Sequence, residues 1–330
     1  MKNRIIFSEK YNRLTEEETA LVLEACKEVQ KYVKRTPKVN RKKFRNRDVH
    51  AKGYGEVFGT LKIADSGDRY LKQVFSKSEY RAILRISNVG MVADEGKDTL
   101  PAYGIAVKLM NVAEGRDVNI PLANFPVFPT NSVSKFLKLF IRINRFASAS
   151  AKFAPLAVTK IPNLLLSGIS FLPNFIDASF LKHFTNILWN RNRNPLFFKY
   201  NSVGCYRFGD YIVKFMLEPK EFPKNRTDIK DKSQKVAVQE VLQKNNLTYS
   251  LKMQYCRKED WINDLTVVWP YKKYKEIGTV SVEAGSILDP QKTESLSFSP
   301  FESPEIFKPV GRIQKTREMV YAASIAARRG

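Results

Sequence analysis

Behind Thr15-Glu-Glu-Glu18, apolar side chains return every three or four positions: Leu21, Val22, Ala25, Cys26, Val29, Tyr32 and Val33. That is the period of an amphipathic helix, and a threonine three residues ahead of a glutamate is a capping box that starts it. Pro37 is expected to stop the helix, early in a lysine- and arginine-rich arm from Lys34 to Arg47. Beyond residue 50 the pattern shortens to strand-like runs rich in β-branched or alternating apolar residues. They cover Glu56 to Ala64, Arg81 to Val89, Gly104 to Met110, Tyr211 to Leu217, Thr248 to Cys256 and Ile277 to Val282. Turn residues bound many of them, and so many short strands predict an antiparallel barrel or a strongly curved sheet.

Between residues 132 and 190 the pattern changes to long apolar patches broken by single basic residues. In Lys135 to Phe146, the residues Lys135, Lys138, Arg142 and Arg145 share one helical face, while Phe136, Leu139, Phe140, Ile143 and Phe146 largely occupy another. Such a helix suits either the surface of an anionic membrane or packing on a core with its basic face solvated. The longest uncharged run, between Lys160 and Asp177, is interrupted by Pro162 and Pro173 and is too short to span a bilayer. From Thr316 to Arg329 the composition is again helical, which puts Arg317 and Tyr321 on one face and Arg328 two turns beyond.

Charge alters this picture. The chain carries 56 Lys and Arg against 33 Asp and Glu, a formal net charge of +23. Such a surface attracts polyanions such as nucleic acid, anionic lipid or an anionic substrate, or it serves solubility alone. The three cysteines, Cys26, Cys205 and Cys256, are scattered and odd in number, as in a reduced intracellular protein and unlike a disulfide framework. The first ten residues hold no apolar signal segment. A cytoplasmic location, or a peripheral one on an inner membrane face, is expected.

The candidates for chemistry are few. No phosphate loop, dinucleotide fingerprint or nucleophile elbow is present, and two histidines cannot build a three-histidine metal site. His50 alone reads more readily as a structural residue than as a catalytic one. Arg317 beside Tyr321 would favour a phenolate, and one chemistry that needs a tyrosinate is ligation of ferric haem.

Several segments then align with one family. Arg47-Asp-Val-His50-Ala-Lys-Gly53 resembles the distal-histidine motif of haem catalases, and Leu84-Arg85-Ile-Ser87 is similar to the strand that follows it there. Gly104-Ile-Ala-Val-Lys-Leu109 and Ala123-Asn124-Phe-Pro-Val-Phe128 resemble further family segments, the second bearing the distal asparagine. Asp264-Leu-Thr-Val-Val-Trp-Pro270 is very close to the family's Asp-Leu-Thr-x-Val-Trp-Pro. Gly311-Arg-Ile with Arg317-Glu-Met-Val-Tyr321 and Arg328 is similar to the proximal helix. The islands fall in the family's order over residues 45–330.

The resemblance implies an α+β fold: a catalase-like antiparallel β-barrel core with surrounding helices, lacking the C-terminal extensions of large catalases. Residues 1–46 would form an N-terminal helix and basic arm, and 47–330 a catalase-like haem domain with a helical insert at about 132–190. It implies haem b as cofactor, with Tyr321 as axial ligand of the iron and Arg317 keeping it deprotonated. His50, Ser87 and Asn124 would be catalytic. Arg47, Arg85 and Arg328 would meet the propionates, with Val49 and Phe136 beside the ring. The chain ends nine residues after Tyr321, so a bound NADPH is not expected.

Departures point toward the small catalase-related haemoproteins, which include allene oxide synthases and organic-hydroperoxide peroxidases. Phe125 stands in a more polar family position, Pro101 replaces an acidic channel residue, and Tyr321 is followed by Ala-Ala-Ser. Val49, by contrast, matches true catalases, where allene oxide synthases have threonine. The expected activity is a hydroperoxidase accepting organic, fatty-acid-type hydroperoxides as well as hydrogen peroxide. The alternatives are a plain catalase, an allene oxide synthase or hydroperoxide lyase, or an inactive haem-fold membrane-binding module. Expected partners are the peroxide, an anionic membrane surface and a second copy of the chain, with no specific nucleic acid.

Overall fold

A computed structural model describes residues 4–40, 45, 47, 49–65, 69–91, 96–98, 100–153, 177–221, 229, 231–289, 293 and 296–329. The basic-arm residues 41–44, 46 and 48 and the central stretch 154–176 of the expected insert lie outside the described residues.

All six runs read as strands are strands. They are β1 (Gly53–Ile63), β2 (Glu79–Asn88), β3 (Tyr103–Ala113), β7 (Tyr211–Pro219), β8 (Leu247–Tyr255) and β9 (Lys275–Val282). Four more complete the sheet: β4 (Arg116–Ala123), β5 (Tyr200–Asn201), β6 (Cys205–Phe208) and β10 (Pro309–Val310). Two of these are only two residues long, and β4 contains Pro121, so the alternation that marks a strand is hard to see there. The order β7-β5-β4-β3-β2-β1-β9-β8 closes on itself through β7–β8 pairing, with β6 and β10 extending from β7. The result is a closed antiparallel barrel, the catalase-like architecture. Its interior is filled by side chains such as Leu84, Ile105, Val107, Phe215, Leu251 and Val280, all buried.

Helices surround the barrel. The capping box of α1 (Glu16–Val33) is complete: Thr15 Oγ1 accepts from Glu18 N–H at 3.2 Å, and the Glu18 carboxylate accepts from Thr15 N–H at 3.0 Å. The first helix ends at Val33, ahead of Pro37 as expected, and Pro37 then helps to open a second, short helix. It sits in the first turn of α2 (Thr36–Asn40), where a missing N–H costs nothing. The short α3 (Arg69–Val74) precedes β2. The amphipathic segment forms α4 (Val133–Phe153), and α5 (Ala178–Trp189) follows it among the described residues. Next come α6 (Gln234–Lys244), the short α7 (Asp260–Asn263) and α8 (Arg312–Arg329).

The basic face of α4 is neither bare nor simply solvated. Lys138 pairs with Glu17 at 2.7 Å, and Arg145 pairs with Glu28 at 3.2 Å and with Glu24, so α1 supplies an acidic counter-face. The apolar side of α4 meets α1 and α8 in a cluster holding Val22, Ala25, Leu137, Ile141, Leu265 and Ile313.

Candidate active site

Register places the distal set. Gly53 on β1 lies opposite Ser87 on β2, Ser87 opposite Gly104 on β3, and Gly104 opposite Ala123 on β4. One row across four strands therefore ends beside His50, which precedes β1, and Asn124, which follows β4. His50 has φ of 57°, a left-handed backbone that turns its ring back over the strand ends. Its Nδ1 lies 3.0 Å from Ser87 Oγ, and Arg85 Nη2 donates to the His50 carbonyl at 3.0 Å.

The ring lies directly over Gly104. A Cβ there would stand 2.7 Å from His50 Cε1 and 3.1 Å from Nδ1, so only glycine leaves room for the imidazole. Burial is the largest influence on His50 and pushes its pKa down to about 3, with the cations Arg85, Arg317 and Arg47 acting in the same direction. The imidazole is neutral at any ordinary pH.

The proximal set is built on α8. Gly311, with φ of 112°, turns the chain into the helix, and Asn263 Oδ1 accepts from Arg312 N–H at 2.8 Å, serving the helix start from a distant segment. Arg317 Nη2 donates to Tyr321 Oη at 3.3 Å. Its Nη1 donates to Gln314 Oε1 at 2.6 Å, and Gln314 Nε2 donates to the Cys205 carbonyl at 3.3 Å. Gln314 is thus the residue that aims Arg317, and sequence reasoning missed it. Its signal was present, since it lies three residues before Arg317 on the same helical face. Tyr321 also meets Phe301 edge-on, with ring centroids 5.6 Å apart.

The other expected residues are placed as follows. Arg85 pairs with Glu56 at 3.0 Å, an acid that sequence reasoning did not single out. Arg47 Nη2 donates to the Leu296 carbonyl at 2.8 Å, and Val49 is half-buried beside His50. Arg328 lies half-buried at the end of α8. Phe136 packs edge-on to Phe128 at 4.7 Å, in the cluster that includes Met319 and Val320 of α8. Asn124 is buried with its amide held at both atoms: Oδ1 accepts from Tyr103 N–H and Nδ2 donates to the Pro101 carbonyl, both at 2.9 Å. It therefore staples the loop before β3 to the end of β4, and one amide hydrogen is committed to that task. Phe125, next to Asn124, stacks on Phe180 and Phe184 of α5, with ring centroids 5.5 and 6.3 Å apart.

By sequence the chain matches no family model and no curated protein. By fold it is similar to catalases. A fungal catalase superposes with a TM-score of 0.58 at 19% identity, covering 87% of this chain and 59% of the other. Catalase A from Saccharomyces cerevisiae gives 0.60 at 18% identity over 87% and 62%, and a bacterial catalase 0.59 at 15% over 87% and 58%. The chain thus spans about six tenths of the length of these structures, and what it shares with them is the catalase fold.

Proposed function

We propose that this protein is a haem-dependent hydroperoxidase that accepts organic, fatty-acid-type hydroperoxides as well as hydrogen peroxide. The observations that carry the reading are a His50 held by Ser87, with its pKa pushed down to about 3, and the Arg317–Tyr321 hydrogen bond on α8. The donor set fits an iron porphyrin. Tyr321 Oη accepts a guanidinium hydrogen bond from Arg317, and the further cations Arg47 and Arg85 contribute to lowering the His50 pKa. In this reading Tyr321 would hold the iron, and Arg47, Arg85 and Arg328 would meet the propionates. Val49 and Phe136 flank the ring. Haem b, when bound, supplies the redox chemistry that breaks the O–O bond.

The protein's own part is proton handling and positioning. Ser87 fixes Nδ1 of His50, which leaves Nε2 to take the hydroperoxide proton and return it to the leaving oxygen. A histidine held near pKa 3 does this without being captured as an imidazolium by bulk acid. Asn124 keeps the distal loop in place and offers its remaining amide hydrogen to the departing oxygen. The layer of Phe125, Phe180 and Phe184 supports a substrate with an apolar body.

The test is a side-by-side turnover assay of the haem-loaded protein with hydrogen peroxide, cumene hydroperoxide and a fatty-acid hydroperoxide, with products identified. Activity on all three, abolished in His50→Ala with haem retained, is expected. Tyr321→Phe should lose or spectrally alter the haem. Wild-type turnover in His50→Ala, or an unchanged spectrum in Tyr321→Phe, would refute the assignment. Reaction with hydrogen peroxide alone would reduce it to a plain catalase.

A further inference from the structure

We propose that the outer face of α5 docks on an anionic lipid bilayer. Trp189 is 89% exposed, almost free of the protein, and Leu181 is 39% exposed. Residues 181, 185 and 189 follow one another at four-residue steps, so Leu181 and Trp189 lie along a single stripe with the exposed Thr185 between them. Exposed Lys182 and Arg191 flank the stripe. The opposite face, Phe180, Phe184 and Ile187, is buried, so the helix is anchored on the protein by one side while its other apolar residues face outward.

The chemistry of the stripe selects the occupant. An indole is apolar over its body and carries one N–H, which suits the boundary between hydrocarbon and headgroups. The cations beside it, on a chain of net charge +23, attract anionic headgroups. Nucleic acid would use the cations but would give the Leu181 side chain nothing to bury in. Docking rather than spanning follows from the helices: among the described residues none is long and apolar enough to cross a membrane. The face also differs from the one the sequence pointed to, because Lys138 and Arg145 of α4 are already paired with acids of α1.

The position has a consequence that rests on the proposed hydroperoxidase reading. The buried face of α5 stacks on Phe125, the neighbour of Asn124, so a docked protein would hold its distal side next to the bilayer. An amphipathic hydroperoxide could then pass from lipid along α5.

Binding is measured with phosphatidylcholine vesicles with and without phosphatidylglycerol, by sedimentation and by tryptophan emission. Of the three tryptophans, Trp269 is buried and Trp261 half-buried, so Trp189 dominates any lipid-dependent change. The expected result is binding to the anionic vesicles only, with a blue shift and quenching by brominated lipid, reversed by high salt. Leu181→Ser with Trp189→Ser should weaken it by about tenfold to a hundredfold, the loss of one to two buried apolar side chains. Lys182→Glu with Arg191→Glu should weaken it while leaving circular dichroism unchanged. No binding by the wild type, or undiminished binding by the Leu181/Trp189 variant, overturns the proposal. So does an equal Trp189 shift on single-stranded DNA. The assay needs neither haem nor turnover, so its failure is distinct from failure of the hydroperoxidase reading.

Discussion

Gly104→Ala tests the distal geometry most directly. The added methyl would meet His50 Cε1 at 2.7 Å, Nδ1 at 3.1 Å and the Leu122 carbonyl at 3.3 Å. Since backbone closes one side, the imidazole has to retreat by most of an ångström to restore van der Waals contact. That movement carries Nδ1, now 3.0 Å from Ser87 Oγ, to the edge of hydrogen-bonding range. Overpacking costs about 1–3 kcal/mol and a lost hydrogen bond about 1 kcal/mol, so stability should fall by roughly 2–4 kcal/mol. Displacing a proton-handling group by such a distance should cost about a hundredfold in turnover. Urea denaturation reads the first effect and hydroperoxide turnover the second. If Gly104→Ala keeps wild-type stability and rate, the imidazole does not lie on this glycine and the site as drawn is wrong.

Other outcomes follow from buried charge. The folded chain keeps His50 neutral down to about pH 3, whereas the unfolded chain protonates it below about 6.5. Stability should therefore rise with pH across that window and gain nothing more from His50 above it, at a slope of at most about 1.4 kcal/mol per unit. His50→Gln should flatten this dependence in denaturant titrations, and an unchanged slope in the variant would locate the acid sensitivity elsewhere. Lys52 and Asp98, both almost fully buried, pair at 3.0 Å, and Asp98 also receives hydrogen bonds from Tyr54 and Asn88. Burial raises the Asp98 pKa against the opposing pull of Lys52, so Lys52→Met removes the group that keeps the carboxylate charged. The cost should be about 3–5 kcal/mol, largely recovered by adding Asp98→Asn. Additive losses in the double variant would contradict this.

Local chemistry was legible wherever it repeats at short range. The Thr15 cap, the six strand runs and the i, i+4 relation of Arg317 to Tyr321 are all visible as spacing. The short strands β5 and β10 are not, because two residues have no period. The stop before Pro37 is legible, but the short α2 it opens is not, because a proline ends one helix and begins another equally well, and only the backbone that follows decides between them. The face of α4 shows a related limit: the helix packs on the core with its cations exposed, one of the two arrangements expected, but their acidic partners were not visible as spacing. Its cations are plain in the sequence, but their partners Glu17, Glu24 and Glu28 lie more than a hundred positions away.

The candidate site divides in the same way. The residue types available can be read along the chain: a lone histidine in a catalase-like motif, a serine and an arginine on one strand, and an arginine four residues before a tyrosine. That Gly104 makes room for the His50 ring and that Gln314 aims Arg317 emerges only once the chain is folded. Nor could spacing show that Asn124 spends its amide on backbone or that Trp189 faces outward. The physical reason is range. Dihedral preferences and caps act over a few residues, whereas strand register and helix packing join positions far apart in the chain, and burial acquires its meaning only once they are joined.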